Sequence, residues 1–221
     1  MTGPLGVRAV AVDVNETLFA LEPLDERFAA VGLDPALRAT WFARTLRDGF
    51  ALSACGDYRA FPVVAAAALR SVGGELPDDA VASVLAGFRT LEPHPDVEPA
   101  LKLLREAGIP AVTLSVGGAD VAATLLERAG LSGYVRATLS SDDVRRWKPA
   151  WEPYAHAATV CGVERAQLAL VAAHAWDVHG ARRAGLRTGW VSRLEGRFAE
   201  CFDRADVEGE RLDDVVAGLL A

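Results

Sequence analysis

The chain has 221 residues, 51% of them hydrophobic and 24% charged, with a formal net charge of -7. Such a balance suits one globular core, or a core carrying a smaller insert, and excludes a disordered tail or a collagen-like rod. The acidic excess argues against a nucleic-acid surface, which rests on Lys and Arg neutralising phosphates.

The first run, Val7 to Val14 (VRAVAVDV), is short, β-branched and almost continuously apolar, as in a parallel strand buried on both faces. From Leu21 to Leu91 the chain is rich in Ala, Leu and Arg and offers no convincing strand, which predicts a helical insert. The clustered prolines of EPHPDVEP (92–99) mark the return from it. Beyond that point helices and strands alternate. Helices are expected at Val97 to Ala107, Ala119 to Ala129, Ala150 to Val160 and Val178 to Ala184, each closing near a glycine at 108, 130, 162 or 185. Strands are expected at Ile109 to Ser115, Val135 to Leu139, Leu168 to Ala173 and Thr188 to Ser192. The remainder, Arg193 to Ala221, is amphipathic and expected to pack on the core. The fold class is therefore α/β, an open parallel sheet with helices on both faces and an inserted helical segment. The expected division is a core of residues 1–20 and 92–221 and an insert of 21–91.

No apolar run approaches the ~20 residues that span a bilayer, and MTGPLGVRAV has no basic stretch before a long apolar one, so a cytoplasmic protein without a membrane partner is expected. Cys55, Cys161 and Cys201 are odd in number and far apart, which indicates neither a disulfide framework nor a thiolate metal site. The only lysines are Lys102 and Lys148; every other basic residue is arginine. Each lysine therefore draws attention.

In an open parallel sheet, ligands bind beyond the carboxyl ends of the strands. Four places there carry polar residues: Asp13-Val14-Asn15-Glu16-Thr17, Ser115 before Gly117-Gly118, Lys148 in RRWKP, and Asp177 in AAHAWD. Taken singly, each is ordinarily a turn, a cap or a solvated side chain. The joint order Asp, Ser, Lys, Asp at successive strand ends is what points to a site.

These residues carry a resemblance. Asp13 to Phe19 (DVNETLF) matches the opening Asp-x-x-x-Thr-Leu-Phe motif of the haloacid dehalogenase superfamily, and the helical stretch follows where that superfamily inserts a cap. Trp41 and Arg44 match a Trp-x-x-Arg pattern of the L-2-haloacid dehalogenases within it. Their third motif is matched at Ser141, Asp143 (one place off), Trp147, Lys148, Pro149 and Tyr154, and their fourth at Asp177, Gly180 and Ala181 only. The resemblance spans nearly the whole chain. It implies a Rossmann-like core with a helical cap, and a hydrolase acting on a small 2-haloalkanoic acid, without cofactor or metal. Asp13 is the implied nucleophile, forming an ester that water opens. Lys148 would hold it ionised. Thr17 and Ser115, with neighbouring Asn15 and Val116, would hold the substrate carboxylate, and Trp176 joins this substrate-binding set. Arg44 would stabilise the departing anion and, with Tyr154, belongs to the same substrate-binding set, while Tyr154 and Asp177 would also orient Lys148 and the hydrolytic water. A homodimer is the assembly the resemblance allows.

The departures matter too. Superfamily phosphatases place a general-acid Asp where Asn15 stands and a Mg2+-holding Asp where Ala173 stands, so metal-free chemistry is expected. The dehalogenases keep a water-orienting Asn where His174 stands. A neutral His174 would take the proton of the attacking water, titrating near 6.5 unless Asp177 raises it; the bland alternative is a hydrogen-bonded structural histidine. Two other functions stay open: a hydrolase acting on another leaving group or a phosphate ester, and a catalytically weak binding module. An Asp13 to Lys148 separation beyond about 5 Å would favour the module.

Overall fold

The computed structural model describes residues 5–221, so the first four residues of the expected core segment lie outside it. Six parallel strands form one sheet in the order β3-β2-β1-β4-β5-β6. They are β1 (Ala9–Val12), β2 (Ala111–Ser115), β3 (Val135–Ser140), β4 (Leu168–Ala172), β5 (Arg187–Val191) and β6 (Val207–Gly209). This is a doubly wound order whose direction reverses at β1, and the crevice at that reversal is where such sheets bind ligands.

Period-2 alternation sorts the strand residues between two cores. Val10, Val12, Ala169 and Val171 face a layer built by α5 (Val97–Glu106), α6 (Ala119–Arg128) and α9 (Leu212–Leu220). Ala9, Ala11, Leu168 and Leu170 face α7 (Trp151–Cys161) and α8 (Ala175–Arg183). Helices on both faces bury the central strands completely, which is why their sequences read as continuous apolar runs. The expected strands and helices recur within a few residues of their observed bounds. Helix α8 begins three residues earlier than expected, so Asp177 lies in its first turn. Its chain exit is Gly185 at φ +91, a left-handed turn that glycine makes without steric cost. The C-terminal stretch adds an edge strand, β6, that its three residues of mixed burial did not announce, followed by α9.

Residues 21–91 carry α1 (Leu24–Ala30), α2 (Leu37–Ala54), α3 (Phe61–Gly73) and α4 (Asp78–Ala86), and no strand among the described residues. Their shared interior is aromatic. Trp41 lies 5.3 Å from Phe28 and 5.8 Å from Phe88 between ring centroids, and its indole N–H donates to Ala65 O at 2.8 Å. The two connections to this helical segment run side by side: Ala20 N–H donates to Glu92 O at 3.1 Å and His94 N–H to Leu18 O at 2.9 Å. Trp147, in the loop after β3, reaches into it. Its indole N–H donates to Arg59 O at 2.9 Å and its ring stacks on Phe61 at 5.9 Å. No helix among the described residues is long and apolar enough to cross a membrane.

Candidate active site

Asp13 follows β1, and its backbone N–H continues the ladder to Val171 O at 3.0 Å, so its carboxylate is delivered to the crevice by one of the two middle strands of the sheet. It is 4% exposed. Lys148 Nζ donates to Asp13 Oδ1 at 2.8 Å, to Asp177 Oδ2 at 2.5 Å and to Leu114 O at 2.9 Å, which uses all three of its protons. The lysine is fully buried, and the contact lies well inside the 5 Å limit that would have favoured a binding module. Burial alone would push the ammonium down; Asp13 and Asp177 outweigh it and raise its pKa above the ordinary value.

The Thr17 hydroxyl donates to Asp13 Oδ2 at 2.7 Å and accepts from Ala173 N–H at 2.9 Å. Its proton is thus committed to aligning the carboxylate, where the sequence reading expected it to hold substrate. Tyr154, expected in the substrate-binding set, is fully buried and its hydroxyl donates to Asp177 Oδ1 at 2.6 Å, so its one proton is committed to orienting Asp177. Gly180 explains how: a side chain there would collide with Pro149 Cβ and reach within 2.8 Å of the Tyr154 hydroxyl, so only glycine lets α7 and α8 close around this bond. Burial and the neighbouring Asp13 raise the Asp177 pKa, with Lys148 and Tyr154 opposing.

Arg44 does not join the cluster. Its guanidinium donates to Ser71 O at 3.2 Å and Ser71 Oγ at 3.3 Å, joining α2 to α3 on the outside of the helical segment. The anion-stabilising role expected of it is therefore without geometric support, and its motif partner Trp41 is a core residue of that segment.

His174 is brought to Asp13, but in another protonation state than expected. Its Nε2 lies 2.8 Å from Glu16 Oε2 and its Nδ1 3.6 Å from Asp13 Oδ2. Burial would lower its pKa; Asp13 and Glu16 override this and lift it to about 10. The two carboxylates favour the imidazolium where a neutral base was expected, and they are Asp13 and Glu16 where Asp177 was anticipated. Asp13, facing two cations, is held well below the usual carboxylate range against the opposing effect of burial. Glu16 is the residue the motif reading passed over. It occupies φ 64, a left-handed conformation that costs a non-glycine residue.

Asn15, Ser115 and Val116 are buried beside this cluster. Ser115 Oγ accepts from Gly117 N–H at 2.9 Å, leaving its own proton free to donate outward. Asn15 and Ser115 line a cavity of about 60 Å³ roofed by Phe61 and Phe88 of the helical segment. Trp176 packs 4.9 Å from Phe50 of α2 and 5.3 Å from His174, with Lys148 Nζ 5.9 Å from its ring centroid, and so closes the other side. The donor set does not fit a Mg2+ cage. Lys148 bridges Asp13 and Asp177, Asn15 is an amide, Ala173 offers no side-chain oxygen, and among the described residues no group of three His, Cys, Asp or Glu is arranged around an ion.

A family model for haloacid dehalogenase-like hydrolases matches residues 7–185. The chain belongs to the haloacid dehalogenase-like hydrolases. Within that family it is 29% identical to (S)-2-haloacid dehalogenase 2 of Pseudomonas sp. strain CBS-3, over 96% of this chain and 93% of that one. The crystal structure of the L-2-haloacid dehalogenase RSc1362 superposes with a TM-score of 0.89 at 30% identity, covering 97% of this chain and 99% of the other. A phosphoglycolate phosphatase of Neisseria gonorrhoeae is 36% identical, but over 42% of this chain and 39% of its own length.

Proposed function

We propose that this hydrolase displaces halide from the α-carbon of a small 2-haloalkanoic acid through an ester on Asp13, giving a 2-hydroxy acid. The observation that carries the reading is Asp13 itself: a buried carboxylate, ionised by Lys148 at 2.8 Å and aligned by Thr17 at 2.7 Å, with the amide of Asn15 where a phosphatase needs an acid. Full-length similarity to (S)-2-haloacid dehalogenases supports the same substrate class.

In the first half-reaction Asp13 attacks the α-carbon, the carbon–halogen bond breaks, and halide leaves. In the second, water attacks the Asp13 carboxyl carbon and frees the hydroxy acid. Ser115 Oγ, with the chain at Asn15 and Val116, holds the substrate carboxylate; Asn15 and Ser115 line the small cavity under Phe61 and Phe88. Asp177, held by Tyr154 and Lys148, positions the water. Residues 21–91 act as the cap over a core of 1–20 and 92–221, a division supported by their side-by-side connections. In this reading the enzyme works without metal, in the cytoplasm, as a homodimer.

The test is a panel of 2-haloacids and phosphate esters with and without EDTA. Chloride release from (S)-2-chloropropionate that survives chelation is expected. Turnover confined to phosphate esters and restored by Mg2+ would overturn the proposal in favour of the phosphatase reading, which the partial match to a phosphoglycolate phosphatase favours.

A further inference from the structure

Hydrolytic dehalogenation makes one proton for each halide, and here it makes it in a buried site. We infer that His174 and Glu16 form the exit for that proton, with His174 handling it beside Asp13 and Glu16 passing it to a separate polar cleft. The inference rests on the proposed dehalogenase reaction and assigns two residues to its second half.

Three observations carry it. His174 Nδ1 is buried, lacks a hydrogen-bond partner and faces Asp13 Oδ2 at 3.6 Å, while Nε2 pairs with Glu16 at 2.8 Å, so one ring connects the reacting carboxyl to Glu16. Glu16 in turn lines a cleft of about 340 Å³, open to solvent, with Glu22, His94, Arg193, Glu210 and Arg211. This cleft is distinct from the small cavity beside Asn15 and Ser115. Finally, Glu16 stands at φ 64, where glycine would fit without cost, and its carboxylate is the return on that strain.

Charge sets the timing. The groups facing His174 are Asp13 and Glu16 from the β1 end, with Lys148 across Asp13, Asp177 of α8 on the far side of Lys148, and Glu195, which accepts from the adjacent Ala175 N–H. At rest the imidazolium is held by Asp13 and Glu16. When the Asp13–carbon bond forms and halide departs, the Asp13 charge is lost, the buried cation loses one of its two anions, and its proton leaves through Glu16. Neutral His174 then accepts the proton of the water adding to the Asp13 carboxyl carbon. It returns that proton to the departing alkoxide as the acyl–oxygen bond breaks, and takes the proton of the regenerated Asp13 acid. The net change is haloacid plus water to hydroxy acid, halide and one proton.

Rapid mixing of the enzyme with (S)-2-chloropropionate in weak buffer, following chloride, a pH indicator and the acid-quenched Asp13 peptide by mass, tests this. Proton release in the unmodified enzyme is expected to coincide with the chloride burst, ahead of hydroxy acid. Glu16→Gln and His174→Gln are expected to keep a stoichiometric burst, accumulate ester and break it at least tenfold more slowly, with imidazole partly rescuing His174→Ala. Glu16→Gly, which removes the carboxylate and the backbone cost together, is expected to melt no lower than Glu16→Gln yet break ester as slowly. Ester breakdown within twofold of the unmodified enzyme in both glutamine variants, or proton release coincident with hydroxy acid, would overturn the relay alone. Absence of any Asp13 ester in the unmodified enzyme would overturn the dehalogenase reading and the relay with it.

Discussion

Gly49 of α2 lies directly against the indole of Trp147, so that a methyl group on it would overlap ring atoms Cε3 and Cδ2. Trp147 precedes Lys148 and is pinned to the helical segment by Arg59 O and by Ser53 Oγ, which accepts from its backbone N–H at 3.0 Å. The helical segment therefore holds the loop that carries the lysine. Gly49→Ala is expected to cost ~1–3 kcal/mol through overpacking and to lower kcat about tenfold or more by shifting Lys148. Steady-state kinetics beside thermal melts check it; a lowered Tm with unchanged kcat would show that the lysine is anchored independently.

Lys148 serves three acceptors in a space closed to water, a task for a point charge with three divergent protons. Lys148→Arg is expected to lose activity on the order of 10³-fold despite keeping the charge, because a planar fork cannot meet Asp13, Asp177 and Leu114 O together. Lys148→Met leaves two carboxylates facing each other and is expected to destabilise by about 3–5 kcal/mol. Denaturant titration of both variants, with the ester trapped by mass, separates misplacement from unfolding.

Tyr154→Phe removes one hydroxyl from a buried bond to Asp177 Oδ1. Leaving that oxygen unsatisfied costs ~1–3 kcal/mol, and kcat is expected to fall about tenfold with KM within about twofold, since the hydroxyl is committed to Asp177. A change confined to KM would place the tyrosine in the binding pocket after all.

The His174 ion pairs give stability a definite pH dependence. The histidine binds its proton more tightly folded, near 10, than unfolded, near its ordinary value of 6.5. Its contribution is full below about 6.5 and is lost as pH rises towards 10. The stability difference between the unmodified chain and His174→Gln is expected to shrink across that window. A difference constant from pH 6 to 10 would mean that the imidazole is neutral in the folded chain.

Much of this architecture is legible in the residues because burial on both sheet faces writes strands as apolar runs and glycine exits mark helix ends. Asp13, Lys148 and Asp177 are legible for a related reason: each follows a strand end, and parallel strands bring their ends together. What the sequence hid depends on contacts between distant positions. Glu16 and His174 are 158 positions apart, and Arg44 turns to Ser71 because of how α2 packs on α3. An acidic residue directly before Thr17, in a turn that glycine would fill more easily, was the one available signal for Glu16. Arg44→Ala is accordingly expected to leave kcat within about threefold, measured as chloride release; a 10²-fold loss would return the arginine to the reaction.

In the proposed division, the paired entry and exit at Ala20 and Glu92 allow residues 21–91 to be exchanged as one module. Lengthening, shortening or replacing them adds no new gap for the sheet to close, so Asp13, Ser115 and Asp177 keep their coordinates while the roof over the substrate is rewritten. Lys148 is the exception, since Trp147 ties its loop into that roof. A lineage exchanging the module must therefore alter the tryptophan's socket at Gly49, Ser53 and Phe61 in step, and those three positions should record each change of substrate range.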